Sequence, residues 1–132
     1  MKFWTLNIFL ESYKEIDQGI KSVEGRSPDP KNPEKNYRKI EAGDRVIIRP
    51  VEKDSAGKIR PISGIGDMEF IVAFNHRYKS TEDMLNGEGL QNLMPNAKSF
   101  EEAVKFYHSL PGHEERIKNY GTCAIGLETR VY

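Results

Sequence analysis

The sequence is poor in the residues that build disulfides and metal sites, and it carries no net charge. Its 132 residues include one cysteine, Cys123, and three histidines, His76, His108 and His113, which lack close ligand spacing. A single cysteine excludes an internal disulfide and a cysteine-rich zinc site, so we expect neither a bound metal nor another cofactor. Twenty basic residues balance twenty acidic ones, which excludes a protein that coats duplex nucleic acid by bulk charge alone.

Long apolar runs are also missing. No apolar stretch approaches the roughly 18 residues that a membrane-spanning helix needs. The apolar stretch at residues 1–10 runs directly into charged residues and has no small-residue cleavage site. We therefore expect no membrane contact and a cytoplasmic location. The hydrophobic content of 37% is too high for a disordered tail, and the length fits a single domain over residues 1–132.

Short strands and short helices follow one another along the chain. Runs of branched and aromatic residues predict five strands, at residues 3–9, 22–26, 45–49, 68–76 and 122–127. A helix at residues 10–18 is expected to end before Gly19, because glycine readily adopts the left-handed conformation of a helix C-terminus. Ser80 and Ser99 predict the N-caps of two further helices, and residues 114–120 predict a helical turn.

Prolines interrupt this pattern at two places. Residues 27–36 include three prolines, which predicts an exposed loop. Pro50 is expected to close the third strand, since proline cannot donate a hydrogen bond to a sheet.

Short strands separated by turns and a few helices are typical of the α+β class and not of a parallel βαβ sheet. We predict a small mixed β-barrel with two to four short helices.

The densest group of functional side chains is Lys21, Glu24 and Arg26, directly after Gly19. In an extended strand, Glu24 and Arg26 point to one side while Val23 points to the other, towards the core. Periodicity does not determine the direction of Lys21. An amine, a carboxylate and a guanidinium could bind a nucleobase or a phosphate, or they could form a solvated strand face with ion pairs of about 0–1 kcal/mol each.

This segment resembles the G-x-K-x-x-E-x-R motif of ASCH domains, which Gly19, Lys21, Glu24 and Arg26 match at every position. Residues 40–46, 99–103 and 120–125 resemble further segments of the family in the same order. The resemblance extends from about residue 3 to residue 128. It implies a PUA-like β-barrel whose cleft is lined by the lysine, glutamate and arginine of the motif and binds RNA or a modified nucleoside.

One branch of small bacterial ASCH proteins hydrolyses acetylated cytidine with a lysine, a threonine and a glutamate. The resemblance places the lysine at Lys21, the threonine at Glu24 and the glutamate at Glu102, so these three are the candidate catalytic residues. Glu24 cannot supply a neutral hydroxyl nucleophile, and its charge would make Lys21 a binding cation and not a base. Glu102 is equally well explained as the capping-box partner of Ser99.

Three functions remain open from the sequence. The first is an RNA-binding or RNA-processing module, in which Tyr37 and Arg38 join the candidate binding residues as an exposed ring and a cation beside the proline-rich loop. The second is a hydrolase, either similar to the acetylcytidine amidohydrolases or a ribonuclease. The third is a protein-interaction domain without nucleotide affinity.

Cys123 is expected to be a buried, inert thiol. No residue indicates a particular oligomeric state.

Overall fold

The computed structural model describes all 132 residues, which form six strands and five α-helices. In chain order the elements are β1 (Phe3–Phe9), α1 (Leu10–Asp17), β2 (Val23–Arg26), β3 (Arg45–Lys53), β4 (Ile59–Pro61), β5 (Met68–Tyr78), α2 (Thr81–Glu88), α3 (Leu90–Leu93), α4 (Phe100–Ser109), α5 (His113–Tyr120) and β6 (Thr122–Val131). Two 3₁₀ turns, Pro33–Lys35 and Tyr37–Lys39, lie between β2 and β3. The predicted α+β class is confirmed, with one helix more than the predicted maximum.

All six strands belong to one sheet, in the order β1-β3-β5-β6-β2, with β4 paired to β3 outside this path. β1 and β3 are parallel because the chain crosses over through α1 and β2 between them, and every other pairing is antiparallel. No ladder joins β1 to β2. The sheet is therefore open between these two strands and is not a closed barrel.

The elements with local sequence signals lie where they were predicted. The Ser80 and Ser99 side chains accept hydrogen bonds from the backbone N–H groups of Asp83 and Glu102, each at 3.1 Å, which confirms both N-caps. Gly19 follows α1 with a φ of 77°. The predicted helical turn is a complete helix, α5. None of the helices is long and apolar enough to cross a membrane.

Several strand ends and the shortest elements differ from the sequence-based prediction. β3 continues through Pro50 to Lys53, because Pro50 loses only its own N–H bond while its carbonyl still accepts from Ile62 at 3.1 Å. β4 has three exposed residues without alternating polarity, and α3 has four residues, so neither carries a periodic signal. β6 extends to Val131 by pairing with β5 across a β-bulge near Val72.

Buried side chains form two clusters. The larger contains 13 residues, mainly from β1, β3, β5 and β6. The smaller contains seven residues, including Val23 of β2 and Tyr107 of α4. Cys123 is completely buried in the larger cluster, and burial raises the pKa of its thiol to about 11. The expectation of a buried, inert thiol is confirmed.

Candidate ligand-binding groove

The end of α1 places Lys21. The N–H of Gly19 donates to the carbonyl of Ile16, and the N–H of Ile20 donates to the carbonyl of Glu15, which is the paired hydrogen bonding of a Schellman motif. Because Gly19 has a positive φ, the chain reverses direction here at low steric cost. Lys21 then enters the molecule beside β2 and is 4% exposed.

The ammonium group of Lys21 has three protein partners. It donates to the carbonyl oxygens of Val23, at 2.8 Å, and of Leu93 in α3. It also pairs with Oε1 of Glu24 at 3.2 Å. An ammonium has three N–H donors, so these contacts use all of them. Lys21 thus acts as a donor that joins β2 to α3. Because all three of its N–H groups contact protein acceptors, these contacts give no support to a role as a general base.

Glu24 lies between two cations. Arg26 donates from Nε to Oε2 of Glu24 at 2.9 Å, and its Nη2 atom forms an ion pair with the same oxygen at 2.9 Å. Lys21 contacts the other carboxylate oxygen. Burial alone would raise the pKa of Glu24, but the charges and hydrogen bonds of Lys21 and Arg26 outweigh burial and hold that pKa below its ordinary value of 4.5. Glu24 in turn raises the pKa of Arg26 against the opposing effect of burial. The three groups of the motif form one charged network, as a strand with Glu24 and Arg26 on one face predicts.

Arg26 also links the two open edges of the sheet. Its Nη2 atom donates to the backbone carbonyl of Asn7 in β1 at 2.7 Å, and its guanidinium lies over the Tyr37 ring, 5.5 Å from the ring centre. These contacts hold the edge strands β1 and β2 near each other without a backbone ladder. The Tyr37 side chain also bonds the guanidinium and, together with Glu24, raises the pKa of Arg26.

A groove of about 1430 Å³ lies where the sheet is open. β1 and the Lys21–Glu24–Arg26 network line it, together with the 3₁₀ turns, the end of α4 and the start of α5. Its lining includes eight basic and two acidic side chains, although the whole chain carries no net charge. The basic residues are Lys2, Lys21, Arg26, Lys35, Lys39, Arg49, Lys53 and Arg116. The fold thus concentrates positive charge along one groove.

Exposed aromatic rings also line the groove. Phe3 and Phe9 project from the same face of β1, and Phe106 projects from α4. Large apolar side chains are costly to expose to water, and flat rings beside cations are the usual means of holding unpaired bases. The groove therefore places exposed aromatic rings and cationic side chains along one surface.

The structure brings only part of the predicted site together. Lys21, Glu24, Arg26 and Tyr37 line the groove. The Tyr37 ring, however, is 8% exposed and packs in the larger core cluster, so the prediction of an exposed ring is wrong. The 3₁₀ turn that follows the proline-rich loop directs this ring inwards, where it supports Arg26.

Arg38 and Glu102 lie outside the groove lining. Arg38 sits over the ring of Tyr120, 5.9 Å from its centre. Glu102 is exposed in the first turn of α4, where its backbone N–H is bound by the Ser99 cap. The structure does not place Glu102 beside Lys21 and Glu24 in the groove.

Sequence reasoning missed most of the groove lining, including Ser27, Lys35, His113 and Arg116. The serine and the lysine belong to a segment that reads as an exposed loop, and the other two belong to a helix that reads as a single turn. None of them stands in a motif. Only folding brings the α4–α5 connection to β2, so no local signal could have identified them.

Two proteins of known structure resemble this chain over almost its whole length. The crystal structure of hypothetical protein PH0355 is 32% identical, covers 98% of this chain and 99% of its own, and superposes with a TM-score of 0.73. The solution NMR structure of protein PF0455 from Pyrococcus furiosus is 30% identical with the same coverage and a TM-score of 0.67. The chain belongs to their family. Neither the family models nor the curated proteins compared with the chain match it.

The similarity to PH0355 and PF0455 extends over the complete fold. The matches span both edge strands of the sheet and every helix, because they leave out only 2% of this chain. Neither relative's name states a ligand or a reaction. The groove's chemistry therefore has to be argued from the residues of this chain.

Proposed function

We propose that this chain is an ASCH-type module whose groove binds single-stranded RNA or a modified nucleoside. The observation that carries the proposal is the surplus of six positive charges in the groove of a net-neutral protein. Five of the groove's basic residues, Lys2, Lys35, Lys39, Lys53 and Arg116, have no carboxylate within 4.0 Å. Unpaired cations beside exposed rings favour a ligand with phosphates and bases.

The residues divide into two roles in this proposal. The Lys21–Glu24–Arg26 network forms the base of the groove and presents the Arg26 guanidinium to the ligand. The outer cations contact phosphates, and Phe3, Phe9 and Phe106 stack on bases. The proposal includes the PUA-like barrel that the motif resemblance implies, for which the link from Arg26 to the open edge of β1 is the supporting contact.

Salt-dependent RNA binding tests the proposal. We expect a fluorescent single-stranded RNA of about ten nucleotides, within the range that one small domain covers, to bind in an anisotropy titration. The double variant Lys35→Gln, Lys39→Gln should lower the slope of log Kd against log salt concentration by about 1.4, since each single-strand phosphate contact contributes about 0.7. The matched control is Lys98→Gln, Lys105→Gln, two exposed lysines outside the groove that should leave the slope unchanged.

Two outcomes would contradict the RNA-binding proposal. The absence of RNA affinity at low salt would favour a protein-interaction domain. An unchanged salt slope in the groove variant would place RNA binding elsewhere on the surface.

A mass-spectrometric incubation separates binding from hydrolysis. We expect acetylated cytidine and a short RNA to keep their masses, because all three N–H donors of Lys21 are already bound by protein acceptors. Loss of acetyl or strand cleavage by the wild type and not by Lys21→Ala would contradict pure binding. Glu102→Ala should leave RNA affinity unchanged, since Glu102 lies outside the groove.

A further inference from the structure

Two buried polar atoms without partners lie at the end of the groove near Arg26. Ser27 directly follows β2 and is 5% exposed, and His113 is the first residue of α5. Neither Oγ of Ser27 nor Nδ1 of His113 has a hydrogen-bond partner, and both residues line the groove. Buried polar atoms are almost always hydrogen-bonded in folded proteins. Two such atoms, in residues that line the same groove, therefore point to a polar partner that these side chains lack.

Cationic side chains line the same groove as Ser27 and His113. Arg116 and Lys35 line the groove, and neither has a carboxylate within 4.0 Å. Burial, followed by the positive charges of Arg116, Arg26 and Lys35, lowers the pKa of His113 to about 4. The imidazole is thus neutral at pH 7 and can donate one N–H without adding to the cationic charge. Glu34 is the acidic lining residue outside the network, and it is exposed.

The connection between α4 and α5 is shaped to keep Arg116 in this position. Gly112 precedes α5 with a φ of 74°. A Cβ atom at residue 112 would lie 2.7 Å from Nη1 of Arg116, so the arginine folds back over the glycine. A larger residue there would push the guanidinium away from the start of α5. Nη1 of Arg116 therefore lies over Gly112, the residue directly before His113.

We infer that Ser27, Lys35, His113, Arg116 and the Arg26 guanidinium form a binding subsite for a phosphate monoester. A phosphate monoester has a charge of about −1.5 to −2 at pH 7 and three acceptor oxygens. These match three cations and the two neutral donors that a hydroxyl and an imidazole provide. The inference rests on the proposed function, in which this subsite would hold the terminal phosphate of an RNA strand or the phosphate of a free nucleotide.

NMR of the histidine side chains tests the subsite directly. Inorganic phosphate and adenosine monophosphate should shift the imidazole signals of His113, and adenosine should not. His76 and His108 are internal controls, because neither lines the groove. The Kd for phosphate is obtained by titrating the His113 shift. Arg116→Gln and Ser27→Ala should each raise this Kd about tenfold, the loss expected when one charge-assisted or buried hydrogen bond is removed.

Lys118→Gln provides the matched control. It removes the same charge from the same helix, but Lys118 is exposed outside the groove, so phosphate affinity should be unchanged. Arg116→Lys keeps the positive charge and should retain part of the phosphate affinity. This result would show that the loss in Arg116→Gln comes from the missing charge and not from misfolding. A His113 signal that ignores phosphate, or equal phosphate affinity in Arg116→Gln and Lys118→Gln, would overturn the subsite.

Oligonucleotides that differ only at their ends distinguish failure of the subsite from failure of the proposed function. A 5′- or 3′-phosphorylated RNA should bind more tightly than the same RNA with hydroxyl ends, and Arg116→Gln should remove the difference. Equal affinity for all three RNAs would overturn the subsite and leave RNA binding intact. Binding of phosphate and adenosine monophosphate without binding of any RNA would support the subsite and overturn the proposed function.

Discussion

At the residue scale, Glu24 is the group that makes two neighbouring buried cations compatible with folding. Lys21 and Arg26 each contact a different oxygen of its carboxylate, and the side chains of all three residues are less than one-fifth exposed. Removing one partner of a buried ion pair leaves an uncompensated charge, which costs far more than the pair itself contributes. The stability of the groove's base therefore depends on one carboxylate.

Glu24→Gln tests this dependence. We expect a loss of about 3 kcal/mol in the free energy of unfolding, because two buried cations lose their counter-charge. Urea denaturation measures the change. The control is Glu52→Gln, the same chemical change in the exposed pair of Glu52 with Arg60 at 3.7 Å, which should cost less than about 0.5 kcal/mol. Equal losses in the two variants would show that the network is not a stabilising unit.

The lowered pKa of Glu24 also predicts how stability depends on pH. The unfolded chain takes up a proton near pH 4.5, while the folded chain resists it because Lys21 and Arg26 favour the carboxylate. Stability is thus present above that pH and is lost as the pH falls through the folded pKa. The free energy of unfolding should decrease from about pH 5 to about pH 3, and less steeply in Glu24→Gln.

Asp44 should account for part of the slope that remains in that variant. Burial would raise its pKa, but the backbone N–H groups of Glu41 and Lys2 and the indole of Trp4 hold it below its ordinary value of 3.8. Parallel pH profiles for the wild type and Glu24→Gln would contradict the assigned role of Glu24.

At the element scale, the groove depends on how closely β2 packs against α4. Gly25 sits between Glu24 and Arg26, and a Cβ atom there would lie 2.8 Å from Oη of Tyr107 and 2.9 Å from Cε of Met84. Only glycine therefore permits the present distance between strand and helix. The packing, and not backbone freedom, explains the glycine at this position.

Gly25→Ala should cost about 1–3 kcal/mol by overpacking this contact. Thermal unfolding of the variant measures the cost. Tyr107→Phe in the same chain should restore part of the stability, because it removes the nearest atom while the flexible end of Met84 moves aside. Failure of the double variant to recover any stability would show that the strain arises from the backbone and not from the tyrosine.

The element scale also shows where prediction from sequence succeeds. The N-caps of α2 and α4, the end of α1 and the two faces of β2 depend on contacts within a few residues, and each was predicted. β4 and α3 are too short for a periodic pattern, and β3 continues past Pro50 because its neighbours supply the remaining hydrogen bonds. The parallel pairing of β1 with β3 depends on a crossover that no local pattern reveals.

At the scale of the whole molecule, the sheet joins both core clusters. Ile125 of β6 lies in the larger cluster, and its neighbour Ala124 lies in the smaller one. Successive residues of a strand face opposite sides of a sheet. Unfolding of β6 would therefore remove side chains from both clusters at once. The single domain over residues 1–132 stays a prediction, which an unfolding experiment can test.

We therefore predict one cooperative unfolding transition. Trp4, the only tryptophan, packs against the larger cluster, while far-UV circular dichroism reports the helices beside the smaller one. The two signals should coincide in urea, with a slope of about 1–3 kcal/mol/M. Separate midpoints would mean that the helices around the smaller cluster unfold independently of the sheet.

The sequence by itself determined the features whose causes are local. It identified the α+β class, the charged motif and the common face of Glu24 and Arg26, because caps, alternation and turns act over a few residues. Only long-range packing sets the direction of Lys21, whose partner Leu93 is 72 residues away. The same is true of the burial of Tyr37 and of the placement of Ser27 and His113 along one groove. These depend on long-range packing of helices against the sheet. The same packing gathers positive charge into one groove of a chain whose total charge is zero.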